Sequence, residues 1–170
     1  MKIMSVDYGD ARTGIAFCDK NEILASAYTT INESYQPKLV KKIKSVIDKE
    51  KPEMVVIGLP RNMDGTYGFR CDKCKELGEL LKDEINIPIE YEDERLTTVI
   101  AHDILSGNNV KGKKRKENVD AVSAVVILQS FIDKRKKYQS SNNKNFIINI
   151  NHPLYFILIV HYIDHYELLN

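Results

Sequence analysis

The chain has 170 residues, of which 25 are basic and 24 acidic, so its formal net charge is +1. This length predicts one domain with a sizeable core, and the balanced charge excludes any argument for a nucleic-acid binder from net charge alone. No apolar stretch reaches the ~20 residues of a membrane-spanning helix, so we expect no membrane partner. Three cysteines and no secretory leader after Met1 predict a reducing, cytoplasmic setting.

Short apolar runs and amphipathic stretches alternate along the chain. In the second apolar run, Ile15 and Phe17 share one face and Ala16 and Cys18 the other, as expected for a strand. Strands are expected at residues 2–7, 12–19, 24–30, 54–58 and 88–91, helices at 36–50, 69–84, 96–105 and 117–136, and loops at 58–68 and 106–116. This order predicts an α/β fold, a mixed five-stranded sheet flanked by helices, whose later strands are parallel.

Three acidic residues occupy positions that solvated surface does not explain. Asp7 ends the first strand, Glu94 follows the last strand, and Asp120 lies at the head of an almost wholly apolar helix. Carboxylates on buried elements are costly unless they are paired, hydrogen-bonded or bound to a cation. Because open α/β sheets bind ligands beyond the carboxyl ends of their parallel strands, convergence at one edge is expected. Three converging carboxylates would form a hard-oxygen site for Mg²⁺ or Mn²⁺.

Each of these acids also has an ordinary structural interpretation. Asp7 could cap the turn that follows its strand, because aspartate favours turns. Glu94 and Asp120 could be first-turn acids that the helix dipole stabilises. Asp120, however, shares a helical face with the apolar residues Ala124 and Leu128, which favours an inward position for its side chain.

Four motifs in sequence order resemble those of the YqgF (RuvX) family, Holliday-junction-resolvase-like proteins assigned as pre-16S rRNA nucleases. They lie at residues 7–16, 58–66, 93–98 and 119–124 and read DYGDARTGIA, GLPRNMDGT, DERLTT and VDAVSA. The resemblance implies an RNase H-like fold and a divalent-metal-dependent nuclease in which Asp7, Glu94 and Asp120 are catalytic and hold Mg²⁺ or Mn²⁺. It also implies an rRNA precursor as substrate, with branched DNA as the alternative.

Several polar residues are candidates for substrate binding. Arg95 could bind a phosphate through two hydrogen bonds or pair with a neighbouring acid. Arg12 could reach the site or face solvent. Asn62 and Thr66 could satisfy backbone groups of their loop, while the resemblance favours substrate contact.

The densest basic cluster directly precedes Asp120. A run of charge is usually solvated surface, but this one could also hold phosphates beside the metals, in which case binding would weaken steeply with salt. Its members proposed to bind substrate are Lys113, Lys114, Arg115 and Lys116.

Cys71 and Cys74 form a single CxxC motif. This motif supplies two ligands, whereas a structural zinc site needs four. We therefore interpret the pair as incidental surface or semi-buried thiols.

The resemblance covers roughly residues 1–137, the predicted nuclease domain, and leaves residues 138–170 as an atypical C-terminal extension. The extension follows a polar, linker-like stretch and is too apolar to remain freely solvated. It could pack on the domain or on another subunit, so a homodimer is among the expected partners.

Two other functions stay open at this point. Asp7 and Gly9 followed by Gly14 also resemble the first phosphate motif of actin-like ATPases and sugar kinases, which generally need a second domain. A catalytically silent RNA-binding factor for ribosome assembly could use the same surface. Fold alone does not separate these functions from a nuclease.

Overall fold

The computed structural model describes residues 1–60, 66–93 and 113–141, and gives only the backbone at 113–120 and 139–141. Strands and helices alternate in the order that the sequence predicts. The elements are β1 (Ile3–Tyr8), β2 (Arg12–Cys18), β3 (Ala25–Asn32), α1 (Gln36–Glu50), β4 (Met54–Leu59), α2 (Phe69–Lys82), β5 (Ile89–Asp93) and α3 (Lys113–Ser141). The predicted helix at 96–105 lies outside the described residues.

The five strands form one mixed sheet in the order β3-β2-β1-β4-β5. The first three strands pair antiparallel, whereas β1, β4 and β5 are parallel to one another. This arrangement confirms the predicted α/β class and the predicted parallel strands. It also brings the carboxyl ends of β1, β4 and β5 to one edge of the sheet, where open α/β sheets bind ligands.

One face of the sheet packs against α1 and α2 through apolar side chains. Helix α1 buries Leu39, Val40, Ile43 and Ile47, which lie on one face at helical spacing and join a core cluster with strand residues such as Ile15. The helix ends at Lys51, which adopts a left-handed conformation and donates its backbone N–H to the Ile47 carbonyl. The start and end of α1 match the sequence prediction.

The opposite face packs against α3. Ala16 and Cys18 join Ile127, Leu128 and Ile132 of the helix in a second core cluster, which confirms the predicted alternation of faces along β2. Two bands of apolar packing therefore enclose the sheet, one on each face. No helix in the described ranges is both long and apolar enough to cross a membrane.

The structure corrects two predictions about α3. The helix begins at Lys113 and not at residue 117, so residues 113–116 are helical and the predicted loop at 106–116 is wrong for that part. Asp120 consequently lies about two turns inside the helix. Because the dipole acts mainly within the first turn, it does not explain an acid at this depth.

The structure also corrects the interpretation of Cys71 and Cys74 as surface or semi-buried thiols. Both lie on the inner side of α2 and are buried in the same apolar cluster as Leu77. Neither forms a disulfide. The error arose because the motif was considered by its proximity to the helix start and not by its position on the helix face.

Candidate functional site

Asp7 lies near the carboxyl end of β1 and is partly buried. It stands opposite Gly14 of the antiparallel neighbour β2. The turn that follows depends on Gly9, because a Cβ there would lie 2.6 Å from the backbone oxygen of Arg12. A tight glycine turn therefore closes the hairpin directly beyond the carboxylate.

The face of β1 that carries Asp7 is the one covered by α3. Ser5, two residues earlier and so on the same face, donates its hydroxyl to the backbone oxygen of Ala124 at 2.7 Å. Ile3 on this face packs in the core cluster that includes α3 residues, whereas Met4 and Val6 pack in the core cluster that includes α1 and α2 residues. Strand alternation thus assigns Asp7 to the α3 side.

Two contacts establish the direction in which α3 crosses β1. Ser5 lies at the level of Ala124, as the hydrogen bond above requires. Nearer the start of β1, the backbone N–H of Ile3 donates a hydrogen bond to Cys18 Sγ on β2. Cys18 is paired with Ala25 on β3. Ala25 in turn donates its N–H to Gln129 Oε1 at 2.9 Å. The helix therefore runs opposite to the strand.

This direction relates the position of residue 120 on α3 to that of Asp7 along β1. Moving from Ala124 back to Asp120 is one turn of helix, or about 6 Å. Moving from Ser5 forward to Asp7 is two strand residues, or about 6.6 Å. Along β1, the backbone from Ala124 back to Asp120 therefore runs toward the carboxyl end of the strand, as the chain does from Ser5 to Asp7.

Strand β5 ends at the same edge. Val6 of β1 is paired with Ile57 of β4, and Ile57 with Tyr91 of β5. Asp93, the last residue of β5, is paired with Leu59 and directly precedes Glu94 in the sequence. Glu94 itself, like Arg95 and Asn62, lies outside the described residues.

The structure describes the other predicted substrate-binding residues in different detail. Arg12 is the first residue of β2, partly buried and opposite Asn32. Thr66 is exposed in the segment before α2. The basic residues 113–116 form the first turn of α3, and only their backbone is described. Among the residues whose side chains are described, no group of three or more His, Cys, Asp or Glu could hold a metal.

Sequence reasoning missed a polar clamp between β5 and α3. Glu92 is only 5% exposed, and its Oε1 accepts a hydrogen bond of 2.7 Å from Ser130 Oγ and an ion pair from Lys134. Glu92 lies in a run of acidic residues, which in a sequence is typical of solvated surface. The spacing of four residues between Ser130 and Lys134 on one helix face was the available signal.

Helix α2 is tied to the β1–β2 turn by an ion pair. Lys73 Nζ lies 2.8 Å from Asp10 Oδ1, and this hydrogen bond lowers the pKa of the Asp10 carboxyl and raises the pKa of Lys73. Burial raises the pKa of Tyr8, which Lys73 partly offsets. The carboxylate and the ammonium both stay charged at neutral pH, so the tie persists there.

The chain is similar to proteins of one family over most of its length. A family model described as "RuvX: Holliday junction resolvase" matches residues 1–134. A relative from Heliobacterium modesticaldum, named "Putative pre-16S rRNA nuclease", is 39% identical over 78% of this chain and 89% of its own length. A relative of the same name from Thermoanaerobacter pseudethanolicus is 40% identical over 80% of this chain and 99% of its own length.

Solved structures of more distant proteins share the fold. The structure titled "T. thermophilus RuvC in complex with Holliday junction substrate" has a TM-score of 0.53 at 12% identity, over 81% of this chain and 96% of that one. The fowlpox virus resolvase in complex with junction DNA has a TM-score of 0.52 at 12% identity, over 79% of this chain and 99% of that one. At this identity the likeness shows an RNase H-like fold and nothing finer.

Proposed function

We propose that the chain, which belongs to the RuvX Holliday junction resolvase family and is a nuclease, cleaves 16S rRNA precursors with a divalent metal ion. The relatives' names support this substrate. The proposed catalytic residues are Asp7, Glu94 and Asp120. The domain proposed for this activity is residues 1–137, and residues 138–170 are a separate extension.

The observation that carries the proposal is the buried hydrogen bond that joins Ser5, two residues before Asp7, to Ala124, four residues after Asp120. The opposite direction of α3 and β1 also supports the proposal. Strand β5 ends at the carboxyl edge of the sheet immediately before Glu94. These contacts support the convergence of three distant parts of the sequence that a carboxylate site requires.

The residues fit a hard cation. Carboxylate oxygens are the ligands that Mg²⁺ and Mn²⁺ prefer, and the partly buried Asp7 near the carboxyl end of β1 is such a donor. Asp7, Glu94 and Asp120 would hold the metal. A bound pair of ions would lower the pKa of an attacking water and neutralise charge on the leaving oxygen.

The remaining groups of the site bind and orient the substrate. Lys113, Lys114, Arg115 and Lys116 begin the helix that carries Asp120, so their charges precede the acid by one to two turns. Arg12 and Arg95 supply guanidinium donors for phosphate oxygens, and Asn62 and Thr66 supply neutral donors. The proposed location is the cytoplasm, where rRNA precursors are made.

The test is cleavage of labelled 16S rRNA precursor and labelled four-way junction DNA, side by side, with Mg²⁺ or Mn²⁺. Asp7→Asn removes a charge without changing side-chain volume, and we expect it to lower the rate by about 10³-fold or more at unchanged unfolding temperature. The matched control is Asp48→Asn, an exposed acid late in α1, which should cleave at the normal rate. Undiminished cleavage by Asp7→Asn would contradict the proposed site.

The two substrates also separate the two candidate functions. The description of the family model favours junction DNA as the second candidate. Cleavage of the RNA precursor alone supports rRNA maturation, whereas cleavage of the junction alone supports DNA resolution.

A further inference from the structure

Exposed aromatic side chains cluster at the edge of the sheet where Asp7 lies. Phe69 is 73% exposed, Tyr67 52% and Tyr35 60%. Of the large apolar or aromatic side chains that are exposed in the described part of the chain, these three lie where α1 and α2 begin. The other two, Ile23 and Tyr138, lie in the β2–β3 turn and late in α3.

A hydrogen bond and an ion pair connect the helix starts that carry these aromatic residues to the β1–β2 turn, on the sheet face opposite α3. Lys73, one turn after Phe69 in α2, is paired with Asp10 at 2.8 Å, and Asp10 follows Asp7 by three residues. Gln36, next to Tyr35, donates its side-chain N–H to the Lys73 backbone oxygen at 3.1 Å. The starts of α1 and α2 are therefore held together beside the β1–β2 turn.

Two of the rings already interact with cations. Lys73 Nζ lies 4.9 Å from the centroid of Phe69, and Lys75 Nζ lies 4.7 Å from the centroid of Tyr67. Such contacts are worth about 0.5–1 kcal/mol at exposed sites and favour the ring orientation that makes them. Each ring therefore presents an oriented planar surface near the edge.

The charge of the described residues around the start of α2 is balanced. Arg70, Lys73 and Lys75 are offset by Asp10, Asp72 and Glu76 in the same part of the structure. A surface of this kind attracts phosphates weakly, because counter-ion release needs an excess of basic groups. What the cluster offers is aromatic area, on which nucleic-acid bases of any sequence can stack.

We propose that Tyr67 and Phe69, with Tyr35 beside them, form a stacking platform for unpaired bases of the RNA segment next to the cleaved phosphodiester bond. This inference rests on the proposed function and deepens it, because it names the class of substrate at the site. Bases within a duplex are already stacked, whereas bases of single strands and loops can stack on a protein ring. The platform thus selects RNA in which a paired region meets an unpaired one.

The test measures binding without cleavage. All variants carry Asp7→Asn. The probes are two fluorescently labelled RNA hairpins whose loop bases are replaced by a polyethylene glycol linker, one with a single-stranded extension and one with a blunt end, so that only the first contains unpaired bases. Phe69→Leu keeps an apolar side chain but removes the ring. We expect it to weaken binding of the extended hairpin by about 5- to 150-fold per lost stacked base and to leave the blunt hairpin unchanged.

Two further variants separate stacking from other roles of Phe69. Phe69→Tyr keeps a ring and should bind the extended hairpin as the parent does. Tyr138→Leu removes an aromatic residue that is 78% exposed on α3 and should change neither probe. Because stacking releases no counter-ions, the slope of log affinity against log salt should be the same for Phe69→Leu and its parent.

Several outcomes would overturn the inference. These are unchanged binding by Phe69→Leu, equal loss on both hairpins, absence of binding to either hairpin by the parent, or a change in sedimentation that reveals a subunit contact. Failure of the proposed function is distinguishable, because it appears as absent cleavage by the wild type. A ring-dependent preference for the extended hairpin would then still stand.

Discussion

The two faces of the sheet are held to their helices by different interactions. Toward α1 and α2, the contact is a large apolar cluster that includes Met4, Ile15 and Ile43, and polar contacts such as that of Tyr28 with Glu50 lie at its partly exposed margin. Toward α3, a smaller apolar cluster is accompanied by polar contacts at separate points: Ser5 to Ala124, Gln129 to Ala25, and Glu92 to Ser130 and Lys134. The proposed site lies on the second face.

This difference bears on how the site is held. Apolar contacts are non-directional, so a helix can shift slightly over an apolar cluster at small cost. Hydrogen bonds weaken steeply when their distance or angle changes, so they fix the position of a helix along a strand. Carboxylates that share metals spaced about 4 Å apart need such fixing. We infer that the α1–α2 face supplies stability and the α3 face supplies alignment.

The largest effect on stability is expected on the apolar face. Ile43 is fully buried between α1 and the sheet, so Ile43→Ala should lower the free energy of unfolding by about 2–5 kcal/mol, measured by urea denaturation. Ile43→Val, a smaller deletion, should cost about 0.5–1.5 kcal/mol. Cleavage per folded molecule should stay normal in both. A selective loss of cleavage rate would contradict the division of roles.

A smaller effect on stability is expected at the polar clamp, together with an effect on cleavage. Lys134→Met leaves the nearly buried Glu92 carboxylate with Ser130 alone, which should cost about 1–3 kcal/mol. Because the clamp holds β5, which leads into Glu94, against α3, we also expect slower cleavage at limiting Mg²⁺.

Two controls accompany that variant. Lys134→Arg keeps the charge and should retain most of the stability and the rate. Lys41→Met removes an exposed lysine of α1 and should change neither. Equal behaviour of Lys134→Met and Lys41→Met would show that the clamp is no more than surface charge.

The smallest effect is expected at the exposed ion pair between Asp10 and Lys73. The pair lowers the pKa of Asp10, so its contribution to stability is present above the unfolded-state pKa and is lost as the pH falls through the folded-state value. The difference in unfolding free energy between wild type and Asp10→Asn should therefore begin to shrink as the pH falls below about 4 and vanish in stronger acid. A difference that grows in acid would contradict this sign.

The apolar half of the fold could be predicted from the sequence. Leu39, Val40, Ile43 and Ile47 recur at helical spacing, and α1 has the bounds that this spacing indicates. The continuous apolar run of β4 likewise predicted a strand buried on both faces. Such patterns are local, so they need no knowledge of the partner element.

The polar contacts on the α3 face could be predicted less well, because they depend on partners that are distant in the sequence. Ser5, Gln129 and Glu92 have no local pattern that marks them as buried, and each is satisfied by a residue between 38 and 119 positions away. The start of α3 was missed because its first residues are lysines and an arginine without apolar periodicity. The three acids were identified from their unusual positions on apolar elements together with the family resemblance, and their roles remain predictions.

The central claim is that Asp7, Glu94 and Asp120 hold the metal together. Electron paramagnetic resonance of Mn²⁺, titrated into the protein without nucleic acid, measures this directly and does not depend on cleavage. We predict that Asp7→Asn, Glu94→Gln and Asp120→Asn each weaken Mn²⁺ binding markedly, while the control Asp48→Asn binds as the wild type does. Bound Mn²⁺ that is unchanged by all three substitutions would contradict the account.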